Sequence, residues 1–170
     1  MSAAQLPPAM AEIVEIFTSS PPRDRLELLL EYSEGLPKLP ERYVVHPELL
    51  EQVPECQSRL FAAVEIDDSR NVELFFDAPL ESPTTRGFAG ILHAGLNGLP
   101  AEQVLKVPVD LSADLGLAEV VSPLRVRGAV ALLSRVQNQI RRQLQAEASN
   151  STSADQPNSL SVASSGTPSK

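Results

Sequence analysis

One cysteine, Cys56, stands in a chain of 170 residues, and that scarcity removes several kinds of chemistry at once. A lone thiol forms no intrachain disulfide, heads no CxxC redox pair and builds no multi-cysteine zinc or iron-sulfur site. Basic residues are also few: 14 Lys and Arg against 22 Asp and Glu give a net charge of −8. Phosphate-backbone binding draws on clustered cations, so nucleic acid is a poor partner for this chain. Long apolar runs are missing, and nothing approaches the roughly 20 residues that cross a bilayer. The opening MSAAQLPPAMAEIVEIF has neither the basic start nor the apolar stretch of a secretory signal. The expectation is a soluble, cytoplasmic protein with no membrane partner. Glycine-rich phosphate loops, HExxH and GxSxG are absent as well.

Apolar residues make up 42% of the chain, enough for a real core. Their arrangement predicts one domain over residues 1–146. The serine-rich remainder, 147–170, buries too little to offset its ordering entropy and is expected to be a disordered tail. Met10, Ile13, Val14 and Phe17 have helical spacing. A second helix is expected from Ser20 as cap and Pro21 as first residue, with Leu26, Leu29, Leu30 and Ser33 on one side and Gly35 as its stop. Prolines 37, 40, 47 and 54 then predict an extended connection, with one helical turn at Pro47 to Gln52.

After Cys56 the period changes to two. Leu60, Ala62, Val64 and Ile66 alternate with Arg59, Phe61, Ala63 and Glu65; turn residues follow at Asp67 to Arg70, and Val72, Leu74 and Phe76 alternate in their turn. This is a β-hairpin, in which Asp67 and Asp68 serve the turn and not catalysis. A third strand, limited by Pro83, is expected near Leu80 to Thr85. Helices return at Phe88 to Leu96 and Pro100 to Leu105. The last has Ser122 as cap, Pro123 at its first position, and a stripe of Val126, Val130, Leu133, Val136, Gln137, Ile140 and Leu144. The fold class is therefore α+β, a small antiparallel sheet of about three strands packed against several helices.

Candidate chemistry gathers at Cys56. A cysteine often packs as a small hydrophobe, but Glu55, Gln57, Ser58 and Arg59 are polar company for that role. A cation favours a thiolate, and Arg125, Arg127 and Arg86 are the candidates. Arg125 stands in the first turn of a helix, where the macrodipole disfavours positive charge; helix stability does not account for it. His46 or His93 as the base of a Cys/His dyad remains open from spacing alone, as does an adaptor without chemistry.

Several segments in order, YSEGLPKLPE, VPECQS before the hairpin, TTRGFAGIL and VVSPLRVRGAVALL, resemble the SufE family of sulfur acceptor proteins. The resemblance implies the fold shared with IscU-type scaffolds and a role as a persulfide-accepting sulfur carrier. The implied partners are a PLP-dependent cysteine desulfurase of the SufS type, which the carrier activates, and an iron-sulfur scaffold of the SufB type. No cofactor of its own is implied. Cys56 matches the acceptor of the family's CQS motif, with Gln57 and Ser58; Arg125 and Gly128 match the arginine and glycine of its last helix, and Arg86 a basic residue before glycine. The chain departs from the family at Glu55, where glycine is usual, and in having Phe61 near the place of a frequent tryptophan. A carboxylate beside a thiol disfavours the thiolate. Because a persulfide needs shelter, the loop is expected to cover Cys56 at rest and to move on docking, with the polar surface around Glu41-Arg42-Tyr43 and the loop before Cys56 as the candidate contact face.

Overall fold

The computed structural model describes residues 6–153. Seven α-helices and three strands run in the order α1 (Pro8–Ser19), α2 (Pro22–Glu34), α3 (Glu41–Val45), β1 (Glu51–Gln52), β2 (Phe61–Ile66), β3 (Val72–Asp77), α4 (Pro83–Leu96), α5 (Ala101–Leu105), α6 (Leu111–Asp114) and α7 (Pro123–Ser153). The strands form one antiparallel sheet in the order β1-β2-β3. The α+β architecture and the β2–β3 hairpin are as expected. Asp67 closes its turn, its Oδ1 accepting from the Ser69 and Asn71 backbone N–H groups at 2.9 Å.

The third strand is not where the sequence pattern put it. Residues 83 to 85 begin α4, because a proline with fixed φ and no N–H suits a helix's first turn as well as a sheet edge; the third strand is instead β1, ahead of the cysteine. The connection after α2 is likewise more ordered than its prolines suggest, since it holds α3; the helical turn expected at Pro47 to Gln52 is a 3₁₀ turn at Pro47–Leu49, and Glu51–Gln52 pair as β1 instead. Helix α2 starts one residue late, at Pro22, since the Ser20 hydroxyl donates back to the Ile16 carbonyl and ends α1.

The main core lies between the sheet and the helices, with Phe17, Leu29, Leu60, Leu74, Ile91, Leu92 and Leu133 fully or almost fully buried. In α2, Leu29 and Ser33 turn inward while Leu26 and Leu30 are exposed. Helices α2 and α4 meet at backbone distance: a Cβ on Gly87 would collide with the Leu29 carbonyl, and one on Gly90 with that of Tyr32. The opposite face of the sheet is covered too, by Tyr43 and Leu50 over Ala63 and Phe75. Arg42 and Tyr43, two residues of the expected contact segment, both bond to Glu65 within the fold, at 2.6 and 2.9 Å.

Helix α7 spans about 46 Å at 1.5 Å per residue and lies along β2 as a substitute strand. Where β1 ends, Gln139 accepts from the Val64 N–H and donates to the Ala62 carbonyl, and Gln143 donates to the Val64 carbonyl. These bonds satisfy an edge that would otherwise stand open. The helix also continues past residue 146, the expected domain end. Ser149, Ser151 and Thr152 each donate to the carbonyl four residues earlier, so these residues of the expected tail are helical; the rest of it lies outside the described residues. No helix among the described residues is long and apolar enough to cross a membrane.

Candidate functional site

Cys56 sits on the loop joining β1 to β2. The Gln52–Phe61 pair is followed by a bond from the Val53 N–H to the Leu60 carbonyl at 2.8 Å, and the Cys56 N–H donates to the Val53 carbonyl at 3.2 Å. The thiol is thus held at the tip of a tight hairpin, which sequence alternation could not disclose because β1 has only two residues.

The loop folds its sulfur onto α7. Gly128 makes this possible: a Cβ there would stand 2.8 Å from Cys56 Sγ and 3.8 Å from its Cβ. Beside the sulfur is an apolar cavity of about 30 Å³, walled by Leu29, Leu60, Phe88, Leu117 and Leu132, with Gln57 and Arg125 at its polar side. That is room for an added atom or two of water size. Half-buried, Cys56 has its thiol pushed up to about 11, first by burial and then by the Glu55 carboxylate, with Arg125 opposing both.

Arg125 reaches across from α7. Its Nη1 donates to Ser58 Oγ and Thr85 Oγ1, each at 2.9 Å, and Ser58 Oγ meets Ser82 Oγ at 2.7 Å. One guanidinium therefore joins the cysteine loop to the start of α4, which explains a cation in a first helical turn. Ser82 and Thr85 were not among the expected residues; a hydroxyl at a helix start reads as ordinary capping.

Arg86 is placed elsewhere. Its Nε donates to the Ser33 carbonyl and its Nη1 to the Ala78 carbonyl, at 3.0 and 2.8 Å, so it ties α2 to the end of β3. Arg127 is exposed. Neither histidine lines the thiol's cavity: His46 pairs with Glu48 in the open, and His93 lies in a cavity beside Glu73 and Phe75, its basicity lowered by burial and partly restored by Glu73. Among the described residues no cluster of three or more His, Cys, Asp or Glu could hold a metal ion.

One residue that sequence reasoning passed over also acts on the loop. Arg135 donates to Glu51 Oε1 at 2.9 Å and to Glu55 Oε1 at 3.1 Å, while Arg142 takes the other oxygen of Glu51 at 2.6 Å. Burial would raise the Glu51 carboxyl, but the two arginines hold it below its ordinary value. Glu55 is held low by a bond from its own backbone and by Arg135.

Residues 11–140 match the family described as SufE, Fe-S metabolism associated domain. An uncharacterized SufE-like protein of Mycobacterium tuberculosis is 48% identical over 138 residues, 81% of this chain and 95% of that protein. The solution structure of a hypothetical protein from Thermus thermophilus superposes with a TM-score of 0.73 at 38% identity, covering 82% of this chain and 98% of that one. A Plasmodium falciparum protein named cysteine desulfuration protein SufE is 23% identical over 135 residues, 77% of this chain and 53% of that protein. With residues 11–140 matched by the family and a SufE-like relative 48% identical over 81% of its length, the chain belongs to the SufE family.

Proposed function

We propose that the protein is a sulfur carrier that takes a sulfur atom onto Cys56 from a PLP-dependent cysteine desulfurase, activates that enzyme by unloading it, and passes the sulfur to a SufB-type iron-sulfur scaffold. The observation that carries this reading is the seat of the sole thiol: on a hairpin tip, against Gly128, beside a cavity with space for an added atom or two.

In the transfer, the Cys56 thiolate attacks the outer sulfur of the desulfurase's persulfide. The partner's S–S bond breaks as the bond to Cys56 forms, and the partner's cysteine leaves as a thiolate. One S–S bond replaces another, so no oxidant or reductant is consumed. The Cys56 proton must leave first, and with the thiol at about 11 in the free chain docking that changes the surroundings of the sulfur would ease that loss. Arg125 then faces the anion, and the apolar walls keep water and oxidants from the stored sulfur. A solitary thiol suits the task, because a second one nearby would attack the persulfide and release sulfide. A reducing cytoplasm, where free thiols persist, is the compartment that fits. The thiol-hydrolase alternative lacks a base, since no histidine lines the cavity.

The test is intact-mass spectrometry after incubation with a cysteine desulfurase and L-cysteine. The wild type is expected to gain one sulfur atom, removable by reductant, and Cys56→Ser to gain none. An unmodified wild type beside an active desulfurase would overturn the proposal.

A further inference from the structure

Three features of α7 fall on one face. Arg125, Gly128 and Arg135 follow one another at helical spacing, and the hairpin that carries Cys56 lies along them. Arg125 holds the loop after the cysteine through Ser58; Gly128 receives the sulfur; Arg135 holds the loop before it through Glu55 and the strand behind it through Glu51. The two arginines are about 15 Å apart along the helix axis, so they fasten opposite sides of the thiol. The fastenings differ in kind. The Arg125 side is charge to hydroxyl, whereas the Arg135 side is an ionic chain, Arg142 to Glu51 to Arg135 to Glu55. The Arg135 side chain is only 29% exposed, and its two carboxylate partners project from different parts of the hairpin. It is therefore placed to hold the loop's shape in a way that one surface ion pair is not.

We propose that Arg135 is a positioning residue for sulfur transfer, an ionic strap that acts through Glu55 and Glu51 to keep the Cys56 loop closed on α7 and that must release before the thiol can be reached. The proposal rests on Cys56 being the sulfur acceptor for its purpose, though its geometry does not need that reading. Glu55 makes the strap a property of this chain. Without a carboxylate at that position, Arg135 would hold the strand through Glu51 but would have no grip on the residue next to the thiol.

Hydrogen–deuterium exchange on the full chain tests the strap without any desulfurase, so its outcome is independent of whether sulfur is accepted. The Val53 and Cys56 amides report loop opening, because their bonds to Leu60 and Val53 close the hairpin. The amides of Ala63, Phe75 and Glu65 within the β2–β3 pairing report the fold as a whole. Partly exposed ion pairs are individually modest, and with two lost in Arg135→Gln the loop amides are expected to exchange about five- to tenfold faster while the β2–β3 amides keep their rate. Alkylation of Cys56 by iodoacetamide should rise in the same variant, even though Glu55, left uncompensated, then disfavours the thiolate more strongly. Arg135→Lys keeps the charge and should recover part of the loop protection. Arg142→Gln, which touches Glu51 alone, should change loop exchange by less than about twofold. If loop exchange in Arg135→Gln matches the wild type, or if loop and β2–β3 amides accelerate together, the strap is refuted and Arg135 is an ordinary surface or stability residue.

Discussion

Replacing Gly128 by alanine puts a methyl group 2.8 Å from Cys56 Sγ and 3.7 Å from its Cα. The first distance is roughly 0.7–1 Å short of an ordinary heavy-atom contact, so either the helix or the loop must yield. The helix is poorly placed to do so: Ala129, Leu132, Leu133 and Val136 lock the same stretch of α7 into the core. The loop is held by two backbone bonds, at 2.8 and 3.2 Å, and by side-chain bonds at its edges; it is the part that moves. Overpacking costs about 1–3 kcal/mol, and alanine in place of a mid-helix glycine returns about 1 kcal/mol. Stability should therefore change little, while the sulfur leaves its seat. Burial is the largest cause of the thiol's rise from 9.0 to about 11. Undoing the whole rise would increase the thiolate fraction at neutral pH about a hundredfold, and undoing burial, its largest cause, recovers part of that with Glu55 still in place. The assay is alkylation by iodoacetamide at pH 8 followed by intact mass, beside thermal denaturation. An alkylation rate within about twofold of the wild type, at an unchanged melting temperature, would falsify the claim that the resting thiol is seated on Gly128.

Two further outcomes follow from the same geometry. The alkylation rate of the isolated wild type should climb about tenfold per pH unit from neutrality and level off only near the thiol's value of about 11; Glu55→Gln should bring the break to lower pH. The linked stability has a fixed sign. The folded state holds the Cys56 proton more tightly than the unfolded chain, so this contribution is complete below 9.0 and is lost as pH rises from there through about 11, which denaturant midpoints across that range would show. Arg86→Ala leaves the Ser33 and Ala78 carbonyls without their charged donor and should cost about 2–3 kcal/mol of stability. Sulfur acceptance per folded molecule should be unchanged; a loss of acceptance at full stability would return Arg86 to the site.

What was legible in the sequence follows the range of the signal. The β2–β3 hairpin announces itself because alternation and turn residues are local, and α7 because Pro123 and a long apolar stripe are local too. Strand β1 is invisible for the opposite reason: Glu51 and Gln52 are a strand only because Ala62 and Phe61 pair with them. Pro83 misled because its missing N–H suits both a strand edge and a helix start, and only the surroundings decide. Cys56 stood out by its chemistry, whereas the reason for Gly128 is a tertiary distance. Charge shows that an arginine needs a partner but not which one. Arg86 looked functional and is bound to backbone; Arg135 drew no attention in the sequence and grips the loop.

The two arginines flanking the thiol also bear on a difficulty of the site. A nucleophilic cysteine gains from an acidic thiol, yet burial and Glu55 make this one unusually basic. The partners of each arginine resolve the conflict. Arg135 meets two carboxylates, so its charge is matched by Glu51 and Glu55. Among the described residues, the hydrogen-bond partners of the Arg125 side chain are the neutral hydroxyls of Ser58 and Thr85, which orient its charge without cancelling it. At rest the thiol sits between a carboxylate that opposes ionisation and a cation that favours it, and burial settles the balance against the thiolate. Opening on the Arg135 side would lift Cys56 from its seat and let solvent in, removing the largest cause of the raised value, with Glu55 beside it still opposing ionisation and Arg125 still favouring it. The same movement that exposes Cys56 would therefore also favour its thiolate, because burial is the first cause that it removes.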